Sequence, residues 1–289
     1  LSGPFGDELI AGSYIQRFSI IALFLFPIFF KFKKNYTKNL FTVFFVILFF
    51  VSLILTGNRI PLTFFILMII GITLFEQKLR KFLLPCLLIV SAIIFLVYNF
   101  SDNYRNHFHS YGEKVIQILM PFSSRNIISA DEEKKYENYE FYTYEYKGKK
   151  YKMRNSHLKE FKTGYVTWLD KKIFGGGVKS FKINCPKAKT INCSSHPHNY
   201  YLEILASLGL VGFLTILFLF VLLFYKTFIV KYFKKSQLNN YHLITPFVFL
   251  FFAEVFPIKS TGSFFSSGNA TYIFLFLSII IALSKEKID

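Results

Sequence analysis

The densest group of chemically versatile side chains in this 289-residue chain is Cys193-Ser194-Ser195-His196-Pro197-His198-Asn199. A neutral imidazole can take a proton from a hydroxyl or ligate a metal, and the intervening proline restricts the backbone between the two histidines. With Cys185 the segment offers two cysteines and two histidines, a set zinc accepts, although the spacing is not that of a zinc finger. A Cys185–Cys193 disulfide is the preferred reading, with a metal site or two free thiols as alternatives.

Cationic candidates follow. Arg59 closes Thr56-Gly57-Asn58-Arg59, and Arg154 and His157 stand three apart, close enough to share a helix face. Arginine presents a planar fork of donors that matches phosphate oxygens. A nearby arginine also disfavours imidazolium, which helps a histidine stay neutral and proton-accepting. The plain alternatives are a snorkelling Arg59 and a solvated helix start at Arg154 and His157. Glu203 and Glu254 stand at ends of apolar runs, where an ionisable group marks a site or a paired contact. Asp7 and Glu8 lie in the N-terminal segment. Gly175-Gly176-Gly177 is a weak phosphate-loop signal, because no Walker or dinucleotide fingerprint accompanies it.

The elements that must position these groups are apolar. Hydrophobic residues make up 53% of the chain and 39 residues are Phe, in long blocks rather than amphipathic stripes. That excludes disordered, fibrous, coiled-coil and ordinary cytosolic classes. A bilayer core takes about 20 apolar residues at helical rise. Stretches 15–31, 39–56, 60–75, 82–100, 200–225, 243–257 and 270–284 qualify, the sixth being short and ended by Pro257. The expected fold is an all-α polytopic membrane protein of about seven transmembrane helices with one large periplasmic loop. Residues 1–100 would hold four helices, 101–198 the loop, and 199–289 three helices and a short cytoplasmic tail. Cys86, inside the fourth run, reads as a small apolar filler.

Lysines occupy every second connection: Lys31 to Lys38, Lys78 to Lys81, Lys226 to Lys235, and the tail after the last run. The positive-inside rule then makes these connections cytoplasmic and puts 101–198 outside, with His198 and Arg59 on one face. The net charge of +17 suits such loops and anionic lipid rather than nucleic acid. Within 101–198, residues 129–152 form a low-complexity insert rich in Tyr, Glu and Lys. Alternation over Phe141–Tyr146 before Lys147-Gly148-Lys149 fits a solvated hairpin, and 157–172 reads as an amphipathic helix ended by the three glycines. Position one is Leu and no leader precedes the first run, so the chain is expected to lack its true N-terminus.

Four ordered segments resemble the bacterial O-antigen ligases and related O-antigen polymerases. His196-Pro197-His198-Asn199-Tyr200-Tyr201-Leu202-Glu203, continuing to Gly209-Leu210-Val211-Gly212, is similar to the family's histidine signature. Thr56-Gly57-Asn58-Arg59 resembles its small-Gly-x-Arg turn, Phe174-Gly175-Gly176-Gly177 its Gly-x-Gly segment, and Ser2–Ser13 an outer turn ahead of a mid-chain span. The resemblance implies a metal-independent, cofactor-free, inverting glycosyltransferase of the bacterial inner membrane, acting on undecaprenyl-pyrophosphate-linked glycan. The acceptor is lipid A–core for a ligase, the preferred reading, and a second lipid-linked glycan for a polymerase; a protein acceptor is a third possibility. It implies catalytic roles for His198 and Arg59. The place of its loop arginine is taken by His157, with Arg154, or Arg125, available to replace it. His196, Asn199 and Glu203 are the expected substrate-binding residues, among membrane lipids. From another class, a lipid-linked glycan transporter would need polar midplane residues and broken or repeated spans, and a zinc-dependent outer-face hydrolase would need bound metal.

Overall fold

In hydrocarbon a backbone N–H or C=O has no water to pair with, so each continuous apolar run folds as a helix. The computed structural model describes residues 10–25, 32, 34–119, 142–146, 149–153, 156–188, 193–229 and 241–284. The expected runs coincide with α1 (Ala11–Phe24), α2 (Asn35–Thr56), α3 (Arg59–Phe75), α4 (Gln77–Phe100), α8 (Tyr200–Phe224), α9 (Tyr241–Glu254) and α10 (Ser267–Ser284). Among the described residues, four stretches are long and apolar enough to cross a membrane: Tyr36–Thr56, Leu79–Phe100, Tyr200–Ile229 and Ser267–Ser284. Arg59–Phe75 and Ile244–Glu254 are apolar but shorter. Residues 26–31 of the first expected run, the Ser2–Leu9 part of the outer turn, Asp7, Glu8, Arg125 and Arg154 lie outside the described residues.

Between α4 and α8 come α5 (Asp102–Leu119), the hairpin β1 (Tyr142–Tyr146) and β2 (Lys149–Met153), α6 (Ser156–Leu169), the one-turn α7 (Phe181–Asn184) and a 3-10 turn at Pro186–Ala188. The hairpin is antiparallel with Tyr144 opposite Tyr151, in the register that the alternation and the Lys-Gly turn require. Helix α6 stops at Leu169, six residues before the first of the glycines expected to end it. Helix α5 was not anticipated, yet Tyr104, Phe108 and Tyr111 recur at helical spacing behind Asp102 in the first turn.

The chain divides into two compact units. The first is Leu1–Phe95, Leu217–Lys259 and Ser267–Asp289; the second is Leu96–Ile216 and Ser260–Ser266. In the first, α1 packs on α2, α3 and α9, and α9 packs on α3 and α10. Lipid tails are as apolar as leucine, so such helices associate through close packing and polar contacts rather than the hydrophobic effect. Gly71 of α3 provides the close approach: a Cβ there would fall 2.5 Å from the Phe249 ring of α9. The polar contact is Arg17 of α1, whose guanidinium donates through Nε and Nη2 to the two carboxylate oxygens of Glu254 on α9 and to Asn269 Oδ1 of α10 (2.9 Å). Lys259 Nζ donates to Glu254 Oε2 (3.3 Å) and to Ala253 O (3.1 Å). Burial pushes the Lys259 ammonium below its ordinary value, Glu254 resists that, and Arg17 adds to it. Cys86 is buried and free, as a filler is.

Candidate active site around His198

His198 precedes α8 with φ 51°, the left-handed region, which costs a residue bearing a Cβ about 1–2 kcal/mol. Neighbours hold it there. Its carbonyl accepts the Thr261 N–H (2.8 Å). Asn199 caps α8, its Oδ1 accepting the N–H groups of Tyr201 (3.1 Å) and Leu202 (3.2 Å). One turn on, buried Glu203 accepts Ser263 Oγ–H at Oε1 (2.6 Å) and Phe264 N–H at Oε2. The Tyr200 ring meets Phe264 edge-on at 5.6 Å. Residues 260–266 are thereby clamped over the start of α8, and the strained φ persists because its surroundings over-determine it. Asn199 and Glu203, expected to bind substrate, use these oxygens inside the protein.

The other side of the histidine pair rests on α6. A Cβ on Gly164 would fall 2.7 Å from Pro197 Cβ, so glycine is what lets the Pro197 turn seat on the helix. The His196 and His198 rings lie 4.2 Å apart, tilted by 39°. His196 Nδ1 lies 2.9 Å from Ser195 Oγ. Burial pushes His196 below the ordinary histidine value, and charge on His198 acts in the same direction. Cys193, at the head of the segment, is joined to Cys185 by a disulfide. Those sulfurs are therefore not thiolate ligands, and among the described residues no group of three or more His, Cys, Asp or Glu is placed to hold a metal.

One functional candidate escaped the sequence reading. Glu160 of α6 places Oε1 3.5 Å from His198 Nε2, ion-pair distance when the imidazole is protonated, and both side chains are largely covered. In sequence Glu160 sits between Lys159 and Lys162 and reads as part of a solvated face. Its position on the expected helix, one turn before Gly164, was the available signal. Among the described residues, the Glu160 carboxylate is thus a charged partner of His198. His157 begins the same helix three residues earlier, and its side chain lies outside the described residues.

The two glycine motifs explain each other. Helix α8 breaks at Gly209 (φ 68°, ψ −166°), which frees carbonyls on one side and N–H groups on the other. The chain at 172–177 fills the break. Gly176 and Gly177 N–H donate to Ala206 O (2.9 Å) and Ser207 O (2.8 Å), while Lys172 O and Ile173 O accept from Leu210 N–H (2.8 Å) and Val211 N–H (3.2 Å). A Cβ on Gly175 would lie 2.4 Å from Ser207 C, and one on Gly209 2.2 Å from Ile173 O. Gly175 N–H donates to Lys171 O (3.0 Å), so the amides of all three glycines are engaged and form no phosphate cradle. They lock the loop after α6 into α8.

In the other unit, Gly57 ends α2 in the left-handed conformation (φ 70°) and half-buried Arg59 opens α3. A Cβ on Gly12 of α1 would fall 2.7 Å from Asn58 Cβ, so α1 is seated directly on this turn.

A family described as O-Antigen ligase matches residues 44–217, more than half of the chain, from the middle of α2 to beyond the Gly209 break. The chain belongs to the O-antigen ligase family. The matched residues include Arg59, Glu160, His198 and both glycine motifs. Membership, with several long apolar helices, makes this O-antigen ligase family protein a multi-pass membrane glycosyltransferase of the ligase or polymerase type. Its substrates as a class are a lipid-linked glycan and an acceptor. No curated protein and no solved structure gives a significant match to the chain.

Proposed function

We propose that the protein is an O-antigen ligase of the bacterial inner membrane. It moves glycan from undecaprenyl pyrophosphate to a lipid A–core sugar, with residues 101–198 in the periplasm and seven membrane helices in this chain. The observation that carries the reading is His198, held in a strained conformation on the family's histidine signature with Glu160 at its Nε2. Glu160 holds the tautomer protonated at Nε2, leaving Nδ1 as the basic nitrogen. That nitrogen takes the proton of the acceptor hydroxyl. The hydroxyl oxygen attacks the anomeric carbon, the bond to the pyrophosphate oxygen breaks, and the configuration inverts. Glu160 stabilises the imidazolium as it forms. A positioned base contributes about 10²–10⁴ in rate. Arg59, with Arg154 or His157, binds the departing pyrophosphate, for which a pre-aimed donor is worth about 2.7–4 kcal/mol. No step requires a metal or cofactor.

A transporter would show broken spans, and α8 is one. The groups freed by that break are bonded to residues 172–177 rather than presented to a ligand, which supports the transferase reading.

The experiment places the full-length gene in a strain lacking its O-antigen ligase and in one lacking its O-antigen polymerase, and reads the lipopolysaccharide ladder. Preformed chains attached to lipid A–core in the first strain are expected. Multi-repeat ladders restored only in the second would make the protein a polymerase instead.

A further inference from the structure

The segment after α6 carries large apolar side chains that are left exposed among the described residues. Ile173 is 59% exposed, Phe174 76%, Val178 58% and Ile183 64%. Between residues 169 and 187 these alternate with five lysines against one aspartate, and all five lysines are exposed. Apolar tips flanked by cations suit a surface that is hydrocarbon inside and anionic at its edge.

The Gly209 lock fixes the depth of this segment. Lys172 O and Ile173 O are bonded to Leu210 and Val211 of α8, so the loop backbone is held beside those residues. Val211 lies fifteen residues before Lys226, the first charge at the far end of the same stretch. At about 1.5 Å per residue that separation is about 22 Å. A hydrocarbon core of about 30 Å then leaves Val211 about 8 Å beneath the opposite boundary, within the roughly 5–10 Å that interfacial apolar segments reach. Leu210 and Val211 are themselves 44% and 49% exposed beside the loop, so its apolar surface continues the lipid-facing surface of α8. Trp168, whose Nε1–H donates to Lys172 O (3.0 Å), stands where an interfacial aromatic belongs.

We propose that residues 169–183 form a foot inserted into the bilayer leaflet opposite Lys226, with Ile173 and Phe174 among acyl chains and the lysines at the phosphates of anionic phospholipid. The foot ties α6, which carries Glu160, to the membrane surface from which a lipid-linked substrate is presented. The inference rests on α8 crossing the bilayer and not on the transfer reaction, so either can fail without the other.

Full-length protein with Cys86→Ser, carrying a nitroxide at Phe174→Cys, is placed in nanodiscs of phosphatidylethanolamine and phosphatidylglycerol. Collision rates with oxygen and with a water-soluble nickel chelate report depth. The foot predicts strong oxygen and weak nickel accessibility at 174, and the reverse for a label at Lys187→Cys. A label at Val178→Cys repeats the reading should the 174 variant fail to assemble. Nickel accessibility at 174 and 178 equal to that at 187 overturns the foot and leaves the face to a protein partner. Protection at 174 and 178 that persists in detergent, without oxygen enrichment, overturns it equally.

Discussion

An imidazole is useful as a base only if something orients it and accepts the charge it acquires. His198 has both supports: a backbone bond from Thr261 that holds its left-handed turn, and the Glu160 carboxylate at Nε2. On the proposed mechanism Glu160→Gln keeps the shape of the contact and removes the charge that stabilises imidazolium. Transfer by the full-length variant is expected to fall about tenfold or more, as for other groups that orient and tune a reacting side chain. The loss should lie in kcat rather than KM, and the acidic limb of the pH–rate profile should move to lower pH. An unchanged profile would remove Glu160 from the mechanism. At this scale the sequence was half legible. His198 could be singled out because two histidines flank a proline immediately before an apolar run. Glu160 could not, because its partner is 38 positions away and Lys159 and Lys162 stand on either side of it.

Among the elements, α8 and the loop after α6 depend on each other. The loop supplies the bonds the broken helix lacks, and the break supplies a slot that Gly175 enters because it has no side chain. Gly209→Ala puts a methyl group 2.2 Å from Ile173 O and requires positive φ, so we expect expulsion of the loop and destabilisation of about 2 kcal/mol or more. Gly112→Ala is the contrast. It meets nothing within 4 Å inside α5 and should stabilise by about 0.5–1 kcal/mol. Thermal unfolding of the two purified variants checks the pair. The apolar helices were legible because hydropathy dictates them, and the hairpin because alternation and a Lys-Gly turn coincide. The break was not, since Gly209-Leu210-Val211-Gly212 lies within an unbroken apolar run, and tertiary bonding to 172–177 shows why Gly209 is there.

Over the whole molecule, the arrangement is a first unit of packed helices and a second unit carrying His198. The first is pinned by a buried ion cluster in which one carboxylate, Glu254, faces two cations, Arg17 and Lys259. Removing the carboxylate leaves both without it, so Glu254→Gln is expected to cost about 3–5 kcal/mol, seen as a lower midpoint of thermal unfolding in detergent. A midpoint equal to wild type would mean that the cluster contributes nothing. Glu254 was marked in the sequence as a site or a paired contact at the end of a run, but Arg17 was passed over, hidden among the apolar residues of the first run. The central claim, that His198 is the base of a glycosyl transfer, has its most direct test in full-length His198→Ala with lipid-linked glycan and acceptor. The variant is expected to insert normally and at normal abundance, with transfer reduced by about 10² or more. Wild-type transfer by a correctly inserted variant would contradict it.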